Sequence, residues 1–202
     1  MKLYDLPAGS NPRRVRIYLA EKGIEVPRQE VDMMANEHQK EPYLKVNAMG
    51  KMPALELDDG TVITESMAIC RYFEELNPEP PMFGRTALEK AQVEMWNRRS
   101  ELDIALPTAQ CFQNTHDFWI GRLEQNKAWG EACKVNVLKK LKVFDEHLQG
   151  RTFLATEDYT VADISLQCGL LLGKAVGIRA GDDLPALKAW WERVSSRPTA
   201  RA

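Results

Sequence analysis

Three prolines, Pro78, Pro80 and Pro81, fall within the seven residues Asn77 to Phe83. Proline fixes φ and removes a backbone donor, so such a run can continue neither a helix nor a central strand. It reads as a linker. A length of 202 residues suits one large domain or two small ones, and the hydrophobic pattern changes in kind across the prolines.

Before the linker, strand and helix patterns alternate. Lys2 to Leu6 is a short apolar run, and Pro7-Ala8-Gly9-Ser10-Asn11 is turn-rich. Pro12 suits the first helical position, with Asn11 as N-cap. Val15, Tyr18 and Leu19 then follow at helical spacing, and Gly23 suits the left-handed closing position. Val26 to Asp32 reads as a second strand, parallel to the first through a right-handed crossover. Glu37 to Val46 is of mixed polarity. Pro53 to Leu57 and Thr61 to Thr64 flank Asp59-Gly60, a strong hairpin turn. Glu65-Ser66 opens a helix with Ile69, Cys70, Phe73 and Leu76 on its apolar side, ending at Asn77-Pro78. One parallel and one antiparallel pairing define a small α/β unit.

Beyond the linker the pattern is helical throughout. Thr86-Ala87-Leu88-Glu89 is a capping box, and Leu88, Ala91, Met95 and Leu102 keep helical spacing up to Pro107. Residues 117–149 predict a long helix with Val137, Leu138, Leu141, Phe144 and Leu148 on one face, closed by Gly150. Thr160 and Asp163 form a second capping box, with Tyr159 and Ile164 as a hydrophobic staple. The helix they open is apolar almost all round to Ile178, which marks the centre of a bundle. Leu187, Trp190, Trp191 and Val194 predict a final packing helix.

Composition narrows the function. Lys plus Arg number 27 against 29 for Asp plus Glu, a formal net charge of -2. Phosphate-binding surfaces show a basic excess, so nucleic acid is not expected as a partner. No apolar run reaches the ~18 residues of a membrane span. Met1 to Asp5 starts on the strand pattern with no charged-then-apolar segment ahead of it, so a cytoplasmic protein is expected. Cys70, Cys111, Cys133 and Cys168 form no C-x-x-C pair, which disfavours a zinc or dithiol site. No metal is expected, and the thiols read as free core residues.

Four stretches carry a family resemblance: Ser10-Asn11-Pro12-Arg13-Arg14-Val15-Arg16-Ile17, Gly50-Lys51-Met52-Pro53-Ala54-Leu55, Glu65-Ser66-Met67-Ala68-Ile69 and Thr160-Val161-Ala162-Asp163-Ile164. In order and spacing they resemble the soluble glutathione S-transferases over nearly the whole chain. The resemblance implies a thioredoxin-like α/β domain over residues 1–77 that binds glutathione. An all-α helical bundle over residues 85–202 would form the site for a small hydrophobic electrophile. It implies glutathione as co-substrate, a homodimer with Arg98, Arg99 and Asp103 as cross-subunit contributors, and a role in detoxification. Met52-Pro53 would be cis, letting the backbone before it pair with the cysteinyl part of glutathione. Glu65 and Ser66 would meet the γ-glutamyl end at a helix N-terminus, where free N–H groups favour a carboxylate. Lys51 would meet the glycine carboxylate.

A thiol of pKa about 8.5 needs stabilisation as thiolate at neutral pH. Ser10 stands at the start of the first helix, where its hydroxyl and the dipole favour negative charge, and Asn11 offers an amide donor beside it. Tyr4 falls mid-strand and should face a packed layer. The segment also resembles an atypical bacterial and fungal subgroup with a Ser-Asn-Pro loop, in which helical-domain residues hold a water against the sulfur. The matching region is Phe112 to Asp117, with His116 as the residue that would polarise the water. Phe112, His116 and Trp119 are expected to line the electrophile's cleft between the domains. Two alternatives stay open: a glutathione-binding or protein-interaction module without appreciable catalysis, and a glutathione-dependent isomerase of the maleylacetoacetate type, whose Ser-Ser-Cys signature is replaced here by Gly9-Ser10-Asn11.

Overall fold

A computed structural model describes residues 1–202 and divides them into two compact units, Met1–Pro80 with Arg201–Ala202, and Pro81–Ala200.

The first unit is built on a four-stranded sheet of order β2-β1-β3-β4, where β1 is Lys2–Asp5, β2 Arg28–Glu30, β3 Ala54–Glu56 and β4 Val62–Thr64. β1 pairs parallel to β2 and antiparallel to β3, and β3 antiparallel to β4. Strand alternation sorts the core. Tyr4 and Ala54 gather on one face with Val31 and Tyr43, and Val46, Met52 and Val62 pack against them. Leu3 and Leu55, fully buried, belong to the other face. Helix α1 (Ser10–Lys22) packs against α3 (Ser66–Leu76), and a short α2 (Glu41–Leu44) carries Tyr43.

The first helix begins earlier than the residue pattern predicts. Gly9, not Asn11, is the N-cap: its carbonyl accepts from the Arg13 N–H at 3.0 Å. Pro12 thus sits at the third helical position, where its missing N–H costs nothing because the first turn has no acceptors for those groups. A Cβ at Gly9 would lie 2.9 Å from the Pro12 ring, so the cap must be glycine. Gly23 closes the helix at φ 66° as predicted.

The second unit is helical throughout. Helix α4 (Ala87–Arg99) continues through a π-helical turn, Ser100–Ala105, into α5 (Leu106–Thr115). Pro107 does not stop this run; it is the second residue of α5, directly after the π-helical turn. Leu88, Met95 and Leu102, the predicted apolar stripe, are exposed, and the side that packs carries Val93, Trp96, Asn97 and Ser100. Helix α6 (Lys127–Leu148) starts ten residues later than the pattern over residues 117–149 predicts (127 against 117); Asp117–Trp119 is a single 3-10 turn. Helix α7 (Val161–Gly173) touches α4, α5 and α8 (Pro185–Ser195), which makes it the central element.

The α7 capping box forms as expected. Buried Asp163 accepts from the Thr160 N–H and hydroxyl, from the Leu154 N–H at 3.0 Å and from the Trp190 indole at 2.9 Å, joining three segments at one carboxylate. At Thr86 the box is only half local: Thr86 accepts from the Glu89 N–H, but the Glu89 carboxylate accepts from Arg85. All four cysteines are buried and free. No helix is long and apolar enough to cross a membrane.

Candidate active site

Strand directions bring the predicted ligand-binding residues of the first unit to one edge of the sheet. β1 ends at Asp5, β4 ends at Thr64, and antiparallel β3 begins between them at Ala54, which pairs with Tyr4 on one side and Thr64 on the other. The chain leaving β1 enters α1 at Ser10, and that leaving β4 enters α3 at Ser66. Two helix N-termini therefore flank Met52-Pro53, which is cis. Both ends favour negative charge.

The segment before Pro53 is held from behind. The Lys51 carbonyl accepts from the Tyr43 hydroxyl at 2.6 Å and the Asn47 amide at 2.7 Å, and Met52 packs into the Tyr4 cluster. Desolvation pushes the Tyr43 phenol up to about 12, with the Asn47 bond working the other way, so it remains a donor across the working range. Gly50, at φ 59°, sits where a Cβ would come within 2.7 Å of the Gln39 amide. The Lys51 side chain is exposed.

At the second helix start, Glu65 adopts φ 65° and ψ 117°, one of two non-glycine residues with positive φ. Such a conformation costs about 1–3 kcal/mol and persists where its surroundings enforce it, most often at functional sites. Glu65 is exposed, whereas Ser66 is buried and its hydroxyl oxygen accepts from the Arg14 guanidinium at 2.7 Å. Ser10 is half-buried and Asn11 exposed; neither side chain caps α1. Tyr4 is packed, its hydroxyl donating to Glu56 at 2.7 Å, as the strand position predicts.

His116 belongs to the second unit, at the end of α5. Its Nδ1 accepts from the Phe118 N–H at 3.1 Å. That bond assigns the neutral tautomer with the proton on Nε2, so the ring presents a donor. Phe112 lies 4.8 Å from it between ring centroids, and Phe118 and Trp119 meet edge to face at 5.1 Å. The Trp119 indole N–H is buried with no partner. Gln125 ties this turn down by donating to the carbonyls of Gln113 and His116. Phe112, His116 and Trp119 thus form one cluster.

Sequence reasoning assigned no role to Arg14, Tyr43 or Asn47. Arg14 had a visible signal: it falls four residues after Ser10, a cation amid the buried side of α1. Nothing in the pattern distinguished Tyr43 or Asn47, which act through a loop carbonyl. No group of three His, Cys, Asp or Glu residues is placed to hold a metal.

Residues 8–76 match the family model described as glutathione S-transferase, N-terminal domain, and residues 99–198 match glutathione S-transferase, C-terminal domain. Glutathione S-transferase 2 of Saccharomyces cerevisiae is 36% identical, over 100% of this chain and 88% of that protein. The crystal structure of Gtt2 from the same organism matches with a TM-score of 0.93 and 36% identity, covering 100% of this chain and 99% of that one. Elongation factor 1-gamma-A of Xenopus laevis is 38% identical over 64% of this chain, but over 28% of its own length.

Proposed function

Because the chain belongs to the glutathione S-transferase family and is an enzyme of that kind, we propose that its first unit grips glutathione along the Met52-Pro53 edge. The observation that carries this assignment is the convergence of two helix N-termini on that edge. The Met52 backbone pairs with the cysteinyl residue as an added strand would. Ser66 and the first turn of α3 receive the γ-glutamyl carboxylate, Glu65 accepts from the neighbouring ammonium, and Lys51 supplies a charge for the glycine carboxylate.

The sulfur then meets the start of α1, where the Ser10 hydroxyl or the Asn11 amide donates to it and the dipole lowers the thiol's pKa. His116 is the third candidate for thiol activation, as a donor through Nε2, since its Nδ1 accepts from the Phe118 N–H. The thiolate attacks an electrophilic carbon, a sulfur–carbon bond forms, and the electron pair leaves with the departing group or enters the conjugated system. The protein contributes thiolate stabilisation and positioning. The Phe112, His116 and Trp119 cluster offers flat apolar surface for a small hydrophobic electrophile.

The active species is a homodimer. Exposed Leu88, Met95 and Leu102 beside Arg98, Arg99 and Asp103 give the apolar-with-charge surface that a second copy would cover. Four buried free cysteines suit a cytoplasmic setting, and detoxification of electrophiles is the physiological role. The test is retention on immobilised glutathione combined with turnover of a chloronitrobenzene. Retention with turnover is expected. Retention with no turnover of any electrophile would favour a binding module. Sedimentation of Leu88→Glu as a monomer, against a wild-type dimer, tests the assembly.

A further inference from the structure

Two arginines of α1, Arg14 and Arg16, are almost fully buried, at 3% and 6% exposure. Arg16 has a structural task. Its guanidinium donates to the Asp5 carboxylate at 2.5 Å and to the carbonyls of Leu6 and Pro7, which pins the loop between β1 and α1. Arg14 is directed elsewhere: its Nη1 donates to the Ser66 hydroxyl oxygen at 2.7 Å. It lies one helical turn after Ser10, on the same side of α1. It therefore stands behind the α1 start and bonds to the first residue of α3.

We infer that Arg14 is a positioning residue that fixes the Ser66 hydroxyl as a donor toward the γ-glutamyl carboxylate of glutathione, an inference that rests on the site assignment above. A guanidinium has five donors and no acceptor, so in this pair it must donate and Ser66 must accept. The serine proton is then turned toward another acceptor. A carboxylate offers only acceptors, and the α3 N-terminus supplies its remaining partners. A serine without this neighbour would rotate freely and accept as often as donate.

The experiment measures Kd by calorimetry for wild type, Arg14→Gln, Arg14→Lys, Ser66→Ala and the double variant Arg14→Gln/Ser66→Ala. Two ligands are used: glutathione, and 4-aminobutyryl-cysteinyl-glycine, which is glutathione without the γ-glutamyl α-carboxylate. Arg14→Gln and Ser66→Ala should each weaken glutathione about tenfold, the size of one lost charge-assisted bond. The double variant should be little worse than either, and Arg14→Lys should recover part of the affinity. Neither single change should alter the Kd of the truncated ligand. If Ser66→Ala weakens glutathione while Arg14→Gln and Arg14→Lys do not, the inference fails and the site assignment stands. If Ser66→Ala also leaves glutathione binding untouched, both fail. Equal weakening of the two ligands by Arg14→Gln, or additive losses in the double variant, would show a purely structural arginine and overturn the inference. Should Arg14→Gln fail to fold, Arg14→Lys with the same pair of ligands decides: selective weakening of glutathione upholds it, and equal or no weakening overturns it.

Discussion

The two units differ in what fixes their candidate ligand-binding groups. In the first it is backbone: strand directions, two helix starts and the positive φ of Glu65. In the second it is side chains: the aromatic turn from Phe112 to Trp119, tied down by Gln125. Backbone geometry can bind an invariant tripeptide and changes little under substitution. Side-chain clusters re-form with each residue change, which suits a variable electrophile.

The largest effect should come from Asp163, on which the second unit's scaffold depends. Asp163→Ala strands the Trp190 indole and the Leu154 and Thr160 N–H groups in the core, a loss of about 3–5 kcal/mol. Calorimetry should show Tm falling by about 10 °C, whereas Ser66→Ala, which takes a single acceptor from the Arg14 guanidinium, should lower Tm far less and act mainly on binding. If both lower Tm equally, scaffold and site are not separable as described.

Next come the candidate sulfur donors. Among Ser10→Ala, Asn11→Ala and His116→Ala, one or more should lower kcat/KM at least about tenfold, or ~1.4 kcal/mol. A loss confined to His116→Ala would move the activation to the side-chain unit and break the division of labour. Full activity in all three would sink the donor assignment.

Glu65 separates strain from binding. Glu65→Gly supplies a residue at ease with φ 65°. Its Tm should hold or rise by a degree or two, while glutathione binding weakens about threefold to tenfold through loss of the carboxylate. A fall in Tm with unchanged Kd would mean that the side chain serves the fold instead.

How far the residues announced all this differs between the units too. The Asp59-Gly60 hairpin, the Gly23 helix end and the Thr160–Asp163 box were legible because each rests on local turn or cap chemistry. The start of α1 departs from the residue pattern because its first turn closes on backbone, the Arg13 N–H bonding the Gly9 carbonyl, and no side chain caps it, so the cap preference of Asn11 has no part in it. The long-helix pattern over residues 117–149 failed for another reason. His116 and Asn126 cap separate elements, the latter by accepting from the Trp129 N–H, so the chain turns between them. The Met52-Pro53 isomer came only from the resemblance, and the Glu65 backbone and the Arg14 contact depend on tertiary packing that no periodicity carries.

The smallest effect concerns pH. Burial first, then repulsion from Arg151 and Arg99, holds His147 below its ordinary 6.5, against the opposing bond to the Leu154 carbonyl. It stacks on Trp96 at 3.8 Å. The unfolded chain takes up this proton as pH drops through 6.5, and the folded one resists until lower pH. Stability from this group is therefore present above that pH and lost below it. Thermal melts from pH 7 to pH 5 should fall more steeply for wild type than for His147→Phe; parallel slopes would remove the histidine from the account.

The most direct test is titration of glutathione bound to the protein, followed by thiolate absorbance in the ultraviolet. The donors around the α1 start predict ionisation at least one pH unit below the ~8.5 of a free thiol. A midpoint for the saturated complex equal to that in buffer would contradict the account.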